Sequence, residues 1–261
     1  MKRRFAWEPI FAIVLIAVGT HIPLQAALSE ELHKTYPIDA DGRISLNNVN
    51  GAVHISSWDR NEVQVDAIKR ASTKEALDEA SIVIDSASGS ISIRTKYPEL
   101  NHHKDSASVE YTLKVPRRAR LSAVETVNGA VEVSGVTGDV KISSVNGPVT
   151  AQNLSGEARL STVNGAVKAS FDKLEGTPSI SLHTVNGSIS LAIPEKANAE
   201  FNASTVHGGI SSDFGMPMSR HRIGGSVSGR IGNGGAHIKL SSVNGGIHIM
   251  STFGGHRVVH T

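Results

Sequence analysis

Histidine is the residue type in this chain with the most chemical potential. Of its 12 histidines, His207, His221, His237, His248, His256 and His260 crowd the C-terminal part. A metal centre needs convergent imidazoles backed by carboxylate or thiolate ligands. Apart from His256 and His260, four apart near the terminus, no histidine pair has that spacing, and neither of these stands in a rigid element among acids. Solvent-facing rings are expected, with a weak metal site as the alternative. Asp39-Ala40-Asp41-Gly42 begins like a calcium loop but lacks the acid at the twelfth position, so a turn into a first strand is expected. Gly232-Asn233-Gly234-Gly235 resembles a calcium-binding nonapeptide only superficially, because the Asp is missing. No serine stands in a G-x-S-x-G elbow, and no Ser-His-Asp order can be singled out. The chain has no cysteine, which excludes thiolate catalysis and Cys-ligated zinc. These motifs assign no catalytic, cofactor-binding or metal-ligating residue.

The elements that would position such groups follow from an internal repeat. Val127-Asn128-Gly129 returns as Val145-Asn146-Gly147 and Val163-Asn164-Gly165, each 18 residues on. Between them lie Val136-Thr137-Gly138 and Leu154-Ser155-Gly156, so the unit is nine residues in two alternating forms. Apolar residues recur at Val127, Val131, Val133, Val136, Val140, Ile142, Val145, Val149, Ala151, Leu154, Ala158, Leu160, Val163, Val167 and Ala169. Glu132, Asp139, Lys141, Thr150, Gln152, Glu157, Arg159 and Lys168 fall between them. Period-two alternation puts the first set inward and the second in water. Glycine at the corner avoids a Cβ that would obstruct the turn.

The rhythm loosens but continues through Val185-Asn186-Gly187, Val206-His207-Gly208 and Val243-Asn244-Gly245, and it opens earlier at Asn50-Gly51. Insertions around Asp172 and Pro194 are expected as loops leaving one corner. Two all-β architectures generate this pattern. One is a β-solenoid-like stack with two short strands per 18-residue coil. The other is an antiparallel meander or sandwich, for which Asn-Gly is a strong hairpin signal. The repeated Asn at one corner favours the solenoid, because stacked Asn side chains can bond as a ladder. In that stack Asp139 lies beside Glu157 and Lys141 beside Arg159. The basic column is expected to neutralise the acids as an exposed lattice; the alternative is a site for a cation or polar substrate.

The remaining organisation is that of an exported chain. Lys2, Arg3 and Arg4 precede an apolar run from Ile10 to Gly19 and a small residue at Ala26. Residues 1–26 are expected to be a cleaved signal peptide; the run is shorter than the ~20 residues of a spanning helix, the uncleaved-anchor alternative. That segment holds three basic groups and Glu8, so the formal net charge of +2 falls to zero without it. Nucleic acid is therefore not an expected partner. Residues 27–116 form an N-terminal β cap region, with one short helix near 73–81 that Ser72 or Thr73 could cap. A polar loop with His102 and His103 is expected over 96–106. Residues 117–261 form the β-repeat region, continuous with the cap. Aromatic residues make up only 4% of the chain, so the core must come from Val, Ile, Leu and Ala.

Ser57-Trp58-Asp59-Arg60 with Val63-Gln64-Val65, and Tyr111-Thr112-Leu113-Lys114-Val115-Pro116 with Ala119, Leu121 and Thr126-Val127-Asn128-Gly129, resemble two motifs of one family. Over about residues 35–250 the chain is similar to the bacterial putative-adhesin family of exported β-strand-repeat proteins, a domain of unknown function. The resemblance implies an extracytoplasmic β-repeat domain and carries over no catalytic residues. The function expected is a non-enzymatic cell-envelope or surface scaffold, periplasmic or extracellular, without cofactor. Its partner would be a glycan or an envelope protein, and it would meet a membrane only through the N-terminal signal. The alternatives are a polysaccharide-acting enzyme using a solenoid face and a periplasmic binding or signalling module.

Overall fold

The alternation of small aliphatic and polar residues produces strands almost everywhere in the computed structural model, which describes residues 28–97, 107–214, 225–253 and 256–257. The expected signal segment, His102, His103, His221 and His260 lie outside the described residues, as does the side chain of His256. The chain starts with β1 (Leu28–Pro37), β2 (Arg43–Asn47), β3 (Val53–Trp58) and β4 (Glu62–Ala71). A helix, α1 (Lys74–Glu79), follows, capped by Thr73, whose Oγ1 accepts the Ala76 amide at 3.2 Å. Next come β5 (Ser81–Ala87), β6 (Ser90–Lys96) and β7 (Ser108–Pro116). The regular part holds β8 (Arg120–Asn128), β9 (Val131–Ser134), β10 (Val140–Asn146), β11 (Val149–Leu154), β12 (Ala158–Asn164), β13 (Val167–Phe171), β14 (Ser179–Asn186) and β15 (Ile189–Pro194). It is followed by β16 (Ala199–His207), β17 (Ile210–Ser212), β18 (Gly225–Ile231), β19 (Ala236–Asn244), β20 (Ile247–Phe253) and β21 (His256–Arg257).

The strands stack as a two-sheet solenoid. Val131, Val149 and Val167 are successive parallel partners, and so are Asn128, Asn146 and Asn164. This excludes the antiparallel meander for the repeat. Sheet A runs β1-β4-β7-β3-β9-β11-β13-β15-β20-β17, with β21 beside β20, and sheet B runs β18-β16-β19-β14-β12-β10-β8-β2-β6-β5. Each coil gives one strand to each sheet. The two inner faces share one core that reaches from Ile38 to Ile249 and is mostly Val, Ile, Leu and Ala. Burying each aliphatic side chain contributes about 1.5–3 kcal/mol, against the entropy of ordering the chain.

The Asn corner is the most regular feature. Asn128 Nδ2 donates to Asn50 Oδ1 (2.8 Å), Asn146 to Asn128 (2.9 Å), Asn164 to Asn146 (2.8 Å), Asn186 to Asn164 (2.8 Å) and Asn244 to Asn186 (2.8 Å). His207 continues the ladder through Nδ1 and Asn244 Oδ1 at 3.1 Å. The neighbouring glycines are required by close approach. A Cβ on Gly147 would fall on the carbonyl of Gly129, and one on Gly187 on the carbonyl of Gly165.

One expectation about the interior is corrected here. Val127, Val145, Val163 and Val206 point outward, 38–51% exposed. The inward position belongs to the residue before each: Thr126, Ser144, Thr162, Thr205. The strand's alternation puts Val140, Ile142 and Ser144 on one face, and Val145 falls on the other. Burial of the hydroxyl is compensated by a bond to the adjoining coil. Ser144 Oγ donates to Gly129 O (3.0 Å), Thr162 Oγ1 to Gly147 O (2.9 Å), Thr184 Oγ1 to Gly165 O (2.8 Å) and Ser242 Oγ to Gly187 O (3.0 Å).

Stack order departs from chain order at both ends. The β6–β7 coil lies outside the earlier β2–β3 coil, and the C-terminal β19–β20 coil is inserted between β14–β15 and β16–β17. Antiparallel strands close the ends: β5 on β6, β4 on β7, β1 on β4, and β18 on β16. At the N-terminal end Asn48 takes the place of the buried Ser or Thr. Its Nδ2 donates to Val109 O (2.8 Å), and its Oδ1 accepts from Thr95 Oγ1 (2.9 Å), which also bonds the Tyr111 hydroxyl (2.7 Å). Burial pushes the Tyr111 phenol up to about 12, partly offset by the Thr95 bond.

Candidate functional site

The outward residues of sheet A line up across the stack because all its central strands are parallel and in register. His54, Glu132, Thr150, Lys168, Ser190, His248 and Ser211 are successive Cα partners on β3, β9, β11, β13, β15, β20 and β17. At a strand spacing of ~4.8 Å this row is about 29 Å long. Beside it run Ser56, Ser134 and Gln152, then Ser170, Ala192 and Met250. Small side chains on both rows leave a trough. Its first part, about 300 Å³, lies between His54, Thr112, Glu132 and Gln152. Its second, about 650 Å³, lies between Gln152, Lys168, Ser190, Asp213 and His248. Gln152 lines both.

A backbone irregularity sits at that junction. β11 carries one extra residue relative to β13 between Ala151 and Leu154, and Asn153 adopts φ 55°. This left-handed conformation costs a residue with a Cβ on the order of 1 kcal/mol, and Asn tolerates it better than most. The Asn153 amide donates to Ser170 Oγ at 3.0 Å. Bulges re-aim side chains, and this one turns Gln152 and Asn153 toward the trough.

Polar groups are partly organised within it. His54 Nδ1 is 3.2 Å from Glu132 Oε2 at one end. At the other, Ser211 Oγ and His248 Nδ1 share a 2.6 Å hydrogen bond. Asp213 accepts the Ser251 amide on Oδ2 at 3.1 Å, and among the described residues the second nitrogen of His248 has no hydrogen-bond partner. A nucleophilic triad needs a base that is itself oriented by a third group; among the described residues this pair has none. The arrangement offers donors and acceptors of both kinds to a polar ligand. Beyond the His54 end, Trp58 donates from Nε1 to Glu62 O (2.8 Å), with the Arg60 guanidinium 4.9 Å and the Lys114 ammonium 5.8 Å from its ring centre. Next to it a hydrogen bond from Arg117 holds the Asp59 carboxyl below its ordinary range.

The remaining sequence candidates are dispersed. His33 bonds Asp66 (2.9 Å), which with Glu31 raises its pKa; His207 caps the Asn ladder; His237 is 3.9 Å from Glu200; His183 is exposed. Among the described residues no group of three or more His, Asp or Glu side chains could hold a metal ion. Asp39 and Asp41 flank the turn in which the Gly42 amide donates to Asp39 O (2.9 Å). Gly232, Gly234 and Gly235, all with positive φ, form the turn between β18 and β19. The charge lattice is corrected. Lys141 and Arg159 are register partners, but among the described residues neither has a carboxylate within 4 Å. Asp139 Oδ1 instead accepts the Glu157 backbone amide at 3.2 Å. Sequence reasoning missed the Ser211–His248 pair, because it depends on β17 lying beside β20.

No curated protein matches the sequence. Among solved structures the chain is similar to a putative cell adhesion protein from Clostridium sporogenes ATCC 15579, at 14% identity and a TM-score of 0.53, over 86% of this chain and 100% of that one. It is also similar to a putative adhesin from Bacteroides fragilis NCTC 9343, at 12% identity and a TM-score of 0.41, over 85% and 97%. At such identity the first likeness speaks to the fold alone. Residues 39–250 match the model of one protein family, and the chain belongs to it: Toastrack DUF4097.

Proposed function

We propose that this is an exported, non-enzymatic protein of the cell envelope or surface, adhesin-like in role, whose sheet A trough is its contact face. The observation that carries this reading is the continuous polar row from His54 to Ser211, set in a trough of oligosaccharide-sized volume. Its Ser, Thr and Gln side chains suit the hydroxyls of a glycan or a polar protein loop. The similar solved structure described as a cell adhesion protein supports the role by analogy. Export rests on the Lys2–Ala26 pattern, and no described helix is long and apolar enough to cross a membrane.

The Ser211–His248 bond favours a second reading, hydrolysis of a polysaccharide or ester. The two are separated by one experiment on the mature protein. Glycan-array and envelope pull-down binding should be lost when Ser190→Trp fills the trough and kept in Ser211→Ala. A polysaccharide and ester degradation screen should show no turnover. Turnover abolished by Ser211→Ala would establish the enzyme, and binding indifferent to Ser190→Trp would remove the trough from the function.

A further inference from the structure

The outer face of sheet B carries a chemically different surface. Arg43 on β2 and Arg120 on β8 are register partners, and so, one row over, are Lys141 on β10 and Arg159 on β12. β2, β8, β10 and β12 are consecutive in the sheet, so the four cations form two directly opposed pairs at the ~4.8 Å strand spacing, the second pair offset by two residues along the strands. All four are exposed. Several basic side chains near the ends of the stack are locally paired, as in Arg94–Asp85, Arg70–Glu110, Arg117–Asp59 and Arg230–Glu200. The band instead gathers four cations on adjacent strands with little local pairing. Among the described residues Arg43, Lys141 and Arg159 have no carboxylate within 4 Å, and Arg120 has only Asp41 at 3.9 Å.

Two acids share the shallow groove of about 230 Å³ that the band lines, Asp139 and Glu157. They lie at the corner, in the row of Arg120, and Asp139 is engaged by the Glu157 amide. Four cations against these two carboxylates and Asp41 beside Arg120 leave the groove positive. The outward positions of these four strands contain no aromatic side chain, so nothing stacks a base or the apolar face of a sugar ring.

We propose that this band binds a linear polyuronate, an acidic polysaccharide with one carboxylate per sugar ring. Three of the four cations are arginines, whose planar fork matches a carboxylate bidentately. The charge repeat of such a chain is the length of one pyranose ring, comparable to the strand spacing, so consecutive carboxylates meet the two cations of one pair, and a carboxylate further along the chain reaches the offset pair. Each exposed contact is weak, on the order of 1 kcal/mol or less, and screened by salt. A single uronate therefore binds poorly, and affinity accumulates only when one polymer reaches several cations together. Ser122, on the same groove, donates to Ile44 O (3.2 Å) and can accept from a ring hydroxyl. This site lies on the opposite face from the trough and does not depend on it.

The test uses the mature protein in affinity electrophoresis through polygalacturonate, dextran or polyphosphate. Polygalacturonate should retard it, dextran should not, and retardation should fade as salt rises. Lys141→Glu/Arg159→Glu, two exposed substitutions that leave the melting temperature unchanged, should weaken binding by about tenfold or more. Lys168→Glu, in the sheet A trough, should leave it intact. Equal migration in polygalacturonate and dextran, or wild-type binding by the double variant, overturns the proposal. Tighter binding to polyphosphate overturns the carboxylate assignment. Loss of binding in Lys168→Glu with retention in the double variant moves the site to the trough.

Discussion

The middle of the stack and its ends solve the same problem differently. From β8 to β15 the coils succeed one another in chain order, and each inward corner hydroxyl donates to a glycine carbonyl of the coil before it. At the N-terminal end no identical coil follows, and Asn48 with Thr95 and Tyr111 forms a buried network found once. Repetition lets one bond type serve many coils and ties every coil to the exact backbone spacing of its neighbours. The ends accept side chains of several sizes and antiparallel partners, which also cover exposed edges.

The largest contrast should appear at the glycines. Gly147→Ala puts a Cβ against the Gly129 backbone, which cannot move without breaking the ladder, and should cost about 3 kcal/mol. Gly209→Ala, at the C-terminal end, meets nothing within 4 Å and should stay within about 0.5 kcal/mol. Urea unfolding of both variants checks this, and equal losses would dissolve the distinction between middle and end.

A smaller effect should come from alkali. The unfolded Tyr111 phenol ionises near pH 10, whereas the folded one stays neutral to about 12. Between these values the unfolded chain binds fewer protons, so stability falls as pH rises, by about 2.7 kcal/mol in total. Denaturation followed from pH 9 upward should show the fall in wild type and a shallower one in Tyr111→Phe. Identical profiles would mean that Tyr111 titrates normally and the end network is open to water.

The smallest effect belongs to a single rung. Thr162→Val removes one hydroxyl donor to Gly147 O while keeping shape, and about 1 kcal/mol should be lost. Asn48→Val, which strands several groups at once, should lose more. The reverse ranking in thermal melts would show that the repeat, rather than the end, holds the tighter polar network.

The stacking was legible because Val131, Val149 and Val167, and the Asn residues beside Gly129, Gly147 and Gly165, recur at 18 residues and fit parallel coils. Val127, Val145 and Val163 misled, since hydropathy says what a side chain prefers and strand parity says where it points. Thr126, Ser144 and Thr162 hold the inward place because a glycine carbonyl is there to receive them. β1 carried no expectation, as nearly all its side chains are exposed and its place comes from backbone pairing with β4. The order of coils at the ends could not be read either, because Val206-His207-Gly208 and Val243-Asn244-Gly245 each fit any slot in the ladder. For the same reason the trough's outward residues Glu132 and Lys168 were foreseen, but the meeting of Ser211 with His248 was not.

The inserted C-terminal coil sets the timing of assembly. β16 and β17 reach the rest of the stack only through β19 and β20. A chain emerging amino-terminus first can pair β16 with β18, but it has no way to join them to the stack until β19 and β20, which end at residue 253, are free. Both ladders of the last three coils then form together, as a zip closed from the tail. The half of the trough that contains Ser211 and His248 does not exist before that moment, so a truncated or still-emerging chain carries half a trough.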